Sequence, residues 1–209
     1  VEAVCKLELG DILLFTGDIW EASLLYSQVE LDFKEDALGH ESKFRNAKIS
    51  YYTGDFEWAQ AQLDVLKAST TKLISNDAID LSLLITDNFN MDTIATPMLM
   101  FAQSELLSYQ NRDQEAIAKV DSLISAYPGH SLADEILWMK ANIYFDQGKH
   151  EESQGLLNQI LSIHFTDILA DDALFKLAEL NELVYQDLEK AKELYERMIL
   201  EYPGSLYVI

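Results

Sequence analysis

The stretches AYPGH at residues 126–130 and EYPGS at residues 201–205 each close an apolar run of helical period. Proline lacks the amide hydrogen and disfavours helix in the residue before it, so Pro128 and Pro203 read as stops at the ends of two helices. The same stop, written twice 75 residues apart, asks for an internal repeat.

Aligned on their turn signals, five stretches superpose: LLFTGDIWEASLLYSQV, SYYTGDFEWAQAQLDVL, LSYQNRDQEAIAKVDSLI, IYFDQGKHEESQGLLNQI and LVYQDLEKAKELYERMI. In each, one helical pattern ends, a polar or glycine-containing turn follows, and a second begins. A small residue falls at the same place in every second helix, at Ala22, Ala59, Ala116, Ser153 and Ala191, with spacings of 37, 57, 37 and 38. That period suits two antiparallel helices and two short loops, so each unit is a helical hairpin. Asp18, Asp55, Asp113 and Asp187 stand where second helices start, where a carboxylate can take orphan amides and complement the helix dipole. Gly17, Gly54 and Gly148 suit the left-handed residue that ends the preceding helix. Phe165 takes the proline place in the fourth unit.

The 57-residue spacing carries a surplus between Lys67 and Pro97. Ala78, Ile79, Leu81, Leu83, Leu84 and Ile85 predict a buried inserted helix bounded by Asn76 and by Asn88 with Asn90. The chain is thus expected to run as hairpins one and two over 1–75, inserted helix and connector over 76–92, and hairpins three to five over 93–209, in one continuous stack. A hinge between domains ranks second, because the segment is apolar rather than rich in Gly, Pro and Ser.

Acidic residues outnumber basic ones 36 to 15, a formal charge of −21 that repels phosphate backbones and anionic headgroups. Nucleic acid and direct membrane insertion are therefore not expected. An acidic shell is also a common solubility device, and that reading stands ahead of a basic partner. Cys5, the single cysteine, excludes an internal disulfide and reads as a small buried hydrophobe. The chain begins at Val rather than Met, as a fragment or processed product would, and any targeting signal would then lie upstream.

These patterns resemble the tetratricopeptide repeat family over most of the chain. The family places small residues at places eight and twenty, larger apolar ones at eleven and twenty-four, Gly at fifteen and Pro at thirty-two of a 34-residue unit. Unit one supplies Gly10, Leu13, Gly17, Ala22, Tyr26 and Val29. Unit three supplies Ser104, Leu107, Asn111, Ala116, Val120, Leu123 and Pro128, and unit four Ala141, Tyr144, Gly148, Ser153, Leu157 and Ile160. Unit two has Ala47, Gly54, Ala59, Leu63 and Leu66, but Ser50 where bulk is expected. Unit five has Ala191, Tyr195, Met198 and Pro203, and matches at Ala178 only if its turn is one residue longer. The phrasing AYPGHSLADEILWMKANIYFDQGKHEES is similar to the variant of bacterial envelope proteins, such as outer-membrane assembly and Tol-Pal-associated lipoproteins, which favours periplasm or cell envelope over cytoplasm.

The resemblance implies an all-α, right-handed superhelical solenoid of about five hairpins with one inserted helix. Stacking buries faces no hairpin hides alone, and small residues let backbones approach. First helices then line a concave groove. Place five would put Leu7, Phe44, Phe101, Trp138 and Phe175 there, with Tyr51, Tyr52, Tyr109 and Phe145 near the helix ends and Glu41, Glu105, Asp172 and Glu179 as acids. Rings supply contact area and acids select Lys or Arg, so the implied partner is a peptide or protein, with a basic one suited to the edge. A ring at helical spacing packs against a neighbouring helix as often as it faces a ligand. Trp20 and Trp58 read as covers for the core ends.

No catalytic or metal constellation is legible. His40, His130, His150 and His164 are scattered, HEESQ from His150 lacks the second histidine of a zinc protease, and DNFNMD from Asp87 puts Phe89 and Met91 where calcium ligands belong. Asp171 with Asp172 and Glu151 with Glu152 diverge by about 100° on a helix. The expectation is a non-catalytic scaffold without cofactor. The alternative is a structural spacer or self-association segment of a longer helical-repeat protein. A scaffold would lose partner capture on Trp138→Ala with little change in melting temperature.

Overall fold

The computed structural model describes residues 1–34, 36–69, 72–89 and 94–208. Among them there is no strand. Eleven α-helices are described: α1 (Glu2–Thr16), α2 (Ile19–Asp32), α3 (Ala37–Thr53), α4 (Phe56–Ser69), α5 (Lys72–Asn88), α6 (Thr96–Tyr109), α7 (Asp113–Ala126), α8 (Ala133–Asp146), α9 (His150–Ile163), α10 (Ala170–Glu179) and α11 (Leu188–Glu201). They gather into two compact bodies, Val1–Ser131 and Leu132–Ile209.

The five hairpins are α1/α2, α3/α4, α6/α7, α8/α9 and α10/α11, and one backbone device makes all five turns. Gly17, Gly54, Asn111, Gly148 and Gln186 have φ of 100°, 86°, 56°, 72° and 56°. The next amide in each of the first four turns reaches back five residues: Asp18 N–H to Leu13 O, Asp55 to Ser50, Arg112 to Leu107 and Lys149 to Tyr144, each 2.8 Å. This is the Schellman closure, which satisfies carbonyls that the helix end leaves orphaned. In the fifth turn Asp187 N–H reaches back six residues to Asn181 O at 2.9 Å, because a π-helical turn at Leu180–Val184 takes up one more residue. That turn is what brings Ala178 into the small-residue register.

Two of the four turn aspartates cap through their side chains. Asp55 Oδ1 accepts from Trp58 N–H at 3.3 Å and Asp187 Oδ1 from Lys190 N–H at 3.0 Å. Asp18 makes no cap hydrogen bond, and Asp113 sits inside the first turn of α7 behind Arg112, where it complements the dipole instead.

The small residues at both series of places are buried: Gly10, Ala47, Ser104, Ala141 and Ala178 on first helices, and Ala22, Ala59, Ala116, Ser153 and Ala191 on second. At Gly10 the reason is direct, since a β-carbon there would collide with the Tyr26 ring.

In the N-terminal body α1 packs on α2, α2 on α3, α3 on α4 and α6 on α7. The inserted helix α5 lies against α4 and α3, burying Ala78 and Ile85. It starts at Lys72, four residues ahead of Asn76, since no Pro or Gly in 72–76 interrupts the helix. Asn88 ends it as expected, and Asn90 lies outside the described residues. Helix α6 reaches α3 directly, so the insertion leaves the row of first helices unbroken.

In the C-terminal body α9 packs on both α8 and α10, and α10 on α11. Leu157, Ile160, Leu174, Leu177, Leu194 and Met198 form the centre of its core. Helix α9 stops at Ile163 although Phe165 stands in the proline place, with His164 as its last capped residue.

Candidate functional site

On the N-terminal body the expected ring ladder is taken up by packing. Tyr51, Tyr52 and Phe101 are buried, Phe44 is half-buried, and Tyr109 is 38% exposed. The Tyr51 hydroxyl donates to the Glu105 carboxylate across α3 and α6. Burial pushes the Glu105 carboxyl above its ordinary range, against the lowering influence of Tyr51 and Lys48. At the far end of α6, Tyr109 O–H donates to Asp11 O at 3.3 Å, and Gln110 Nε2 donates to Leu14 O at 2.9 Å. Tyr109 also sets its ring edge against Phe15, with centroids 6.3 Å apart. Helix α6 is thereby tied to α1, beside α3.

Residues that sequence reasoning did not single out hold this closure. Asp11 accepts from Tyr26 O–H at 2.6 Å and pairs with Arg45 at 3.2 Å, while Arg45 also reaches Glu41 at 3.1 Å. Lys48 lies 5.8 Å over the Tyr52 ring. Nothing in the local sequence marks Asp11 and Arg45, because their pairing exists only once α1 and α3 are neighbours. A polar hollow of about 320 Å³ also lies between α2, α3 and α4, lined by Ser23, Asn46, Trp58 and Gln62. Its polar groups satisfy one another, as in Ser23 Oγ to Asn46 Oδ1 at 3.0 Å and Gln62 Nε2 to Ser50 Oγ at 3.1 Å.

The C-terminal body arranges the same places differently. Trp138 and Phe145 on α8, and Phe175 and Glu179 on α10, are all half-buried. Lys176 Nζ sits 4.3 Å over the Phe145 ring, joining the two first helices by a cation–π contact. Phe175 is covered by Tyr207, whose ring stacks at 3.9 Å with an interplanar angle of 8° and whose hydroxyl donates to Asp172 Oδ1 at 2.6 Å. Burial, and then the bond to Asp172, push the Tyr207 phenol well above its ordinary value. Tyr195 also leans on Phe175, with centroids 5.9 Å apart, and donates to Glu182 at 2.7 Å; burial first, then that bond, push its phenol up to about 12. Trp138, Phe145 and Phe175 also pack on the core, and each residue stays only partly accessible.

Paired helices closed by one recurring turn, with small residues in register, define a helical-repeat protein. The tetratricopeptide repeat family model matches residues 172–205, one repeat's length covering most of α10 and all of α11, so this hairpin is similar to a tetratricopeptide repeat. No curated protein matches the chain. Among the described residues no helix is long and apolar enough to cross a membrane. Repeats of this family typically form scaffolds that bind proteins or peptides.

Proposed function

We propose that the protein is a non-catalytic scaffold that captures a peptide or a segment of a partner protein on the α8/α10 face of its C-terminal body. The observation that carries this reading is that Trp138, Phe145 and Phe175 are all half-buried in the C-terminal body beside Asp172 and Glu179, whereas in the N-terminal body Tyr51, Tyr52 and Phe101 are buried and only Phe44 and Tyr109 stay partly exposed. Tyr207 supports this reading, since it lays a flat ring on Phe175 and places its hydroxyl on a carboxylate. With acids at its edge, the face suits segments that combine an aromatic residue with Lys or Arg.

The test uses peptides selected from a displayed library on the purified chain. Trp138 packs on the core, so Trp138→Ala is expected to lower stability as well as binding, unlike the sequence-based expectation. Glu179 is not one of the core residues, so Glu179→Lys is the cleaner variant. It should weaken selected basic-aromatic peptides by about tenfold with an unchanged melting temperature. Peptides that bind Glu179→Lys and Trp138→Phe as tightly as wild type would overturn the reading.

A second reading, a spacer or self-association segment, is favoured by the outer side of the first hairpin. Ile12 is 59%, Trp20 78% and Leu24 59% exposed, large apolar side chains on the two helices of this hairpin. Concentration-dependent association that Trp20→Lys abolishes would support it.

A further inference from the structure

Asp134, His164 and Asp167 converge in the C-terminal body although the sequence keeps them far apart. Asp134 stands in the first turn of α8, His164 caps the end of α9, and Asp167 lies in the loop before α10. One donor atom from each lies within 4.8 Å of the other two. His164 Nδ1 and Asp167 Oδ2 are 2.8 Å apart.

Asp134 is the residue that needs explaining. It is 4% exposed, and no hydrogen bond or ion pair to its carboxylate is found among the described residues. A buried carboxylate is strongly unfavourable unless paired. The N-terminal dipole of α8 offsets only part of that, and among the described residues no basic side chain pairs with the group. A cation held between Asp134, the imidazole and Asp167 supplies the missing charge.

The repeat pattern points to the same place. His164 occupies the position of Tyr127 and Tyr202, and Phe165 that of Pro128 and Pro203. Of the last three units, the one without the Tyr-Pro-Gly stop carries these donors.

We propose that Asp134, His164 and Asp167 bind one divalent transition-metal ion of the zinc class, which clips the start of α8 to the turn between α9 and α10. One imidazole nitrogen and two carboxylate oxygens, with water in the fourth position, suit zinc rather than calcium or magnesium, which take oxygen donors. The role is structural.

The test titrates chelator-treated full chain with zinc alone, following stoichiometry by competition with a chromophoric chelator and stability by thermal unfolding. One ion should bind per chain, raising the melting temperature by about 5–10 °C at hundredfold excess over the dissociation constant. Magnesium should produce no shift, and cobalt should give the visible absorption of a tetrahedral site. Asp134→Asn, close to isosteric, and His164→Tyr, which restores the residue of the sister repeats, should each remove the shift. Unaltered zinc binding in both variants would mean adventitious carboxylates elsewhere and overturn the site, as would no shift in wild type at millimolar zinc. None of these readouts involves peptide capture, so the site and the proposed groove stand or fall separately.

Discussion

Tyr207 lies face to face on Phe175, 3.9 Å between ring centroids, and anchors its hydroxyl on Asp172. The residue expected at place five of the last first helix is thus covered by the chain's own C-terminal segment. An aromatic stack adds about 0.5–1.5 kcal/mol beyond area burial, and Tyr207 is 46% exposed, which keeps its contribution toward the lower end.

Tyr207→Ala should therefore lower stability by about 1–2 kcal/mol, and Tyr207→Phe by less than about 1 kcal/mol, in chemical denaturation. The alanine variant should also bind selected peptides more tightly, since the covering ring is gone. Equal losses for the two variants would show that the stack contributes nothing.

Glu105 sets the pH response of the N-terminal body. Its folded pKa is raised by burial, so the stability it supports is fully present below the unfolded carboxyl range and is lost as pH rises through the folded value. Glu105→Gln retains an acceptor for Tyr51 without the charge. Wild type and variant should be equally stable near pH 4, and the variant should gain relative to wild type toward pH 7. A constant difference across that range would contradict the assignment.

The turn residues make a paired prediction. Gln186 adopts φ 56° where Gly148 adopts 72° in the preceding hairpin. A non-glycine residue in that region costs about 1–2 kcal/mol, partly offset by the greater chain entropy glycine loses on folding. Gln186→Gly should stabilise by roughly 0.5–1 kcal/mol and Gly148→Gln should destabilise by a similar amount, read as opposite shifts in melting temperature.

Gly10→Ala tests the close approach of α1 to α2. Helix propensity alone favours alanine by about 1 kcal/mol, but overpacking against Tyr26 costs about 1–3 kcal/mol. The ring is buried and tied to Asp11, so it has little room to yield. A net loss of about 1 kcal/mol is expected, visible as a melting temperature lower by roughly 2–4 °C. A stabilised variant would mean the ring moves freely.

What the amino-acid sequence determined by itself is the local architecture: hairpins at Gly17, Gly54, Asn111, Gly148 and Gln186, small residues in register, and an extra helix between the second and third hairpins. Those features depend on contacts a few residues apart, where the left-handed turn, the proline stop and the absence of a β-carbon act directly on the nearest helix. Even the additional residue of the last turn was legible as a count at Ala178, though its π-helical form was not. Tertiary structure alone decided which rings stay accessible. Tyr51 meets Glu105 and Tyr109 meets Asp11 only because α6 settles on α3 and α1, 54 and 98 residues away in the chain. The same holds for Tyr207 on Phe175 and for Asp134 beside His164 and Asp167. Helical periodicity says which side of a helix is apolar, and the packing of distant helices says whether that side meets core, tail or solvent.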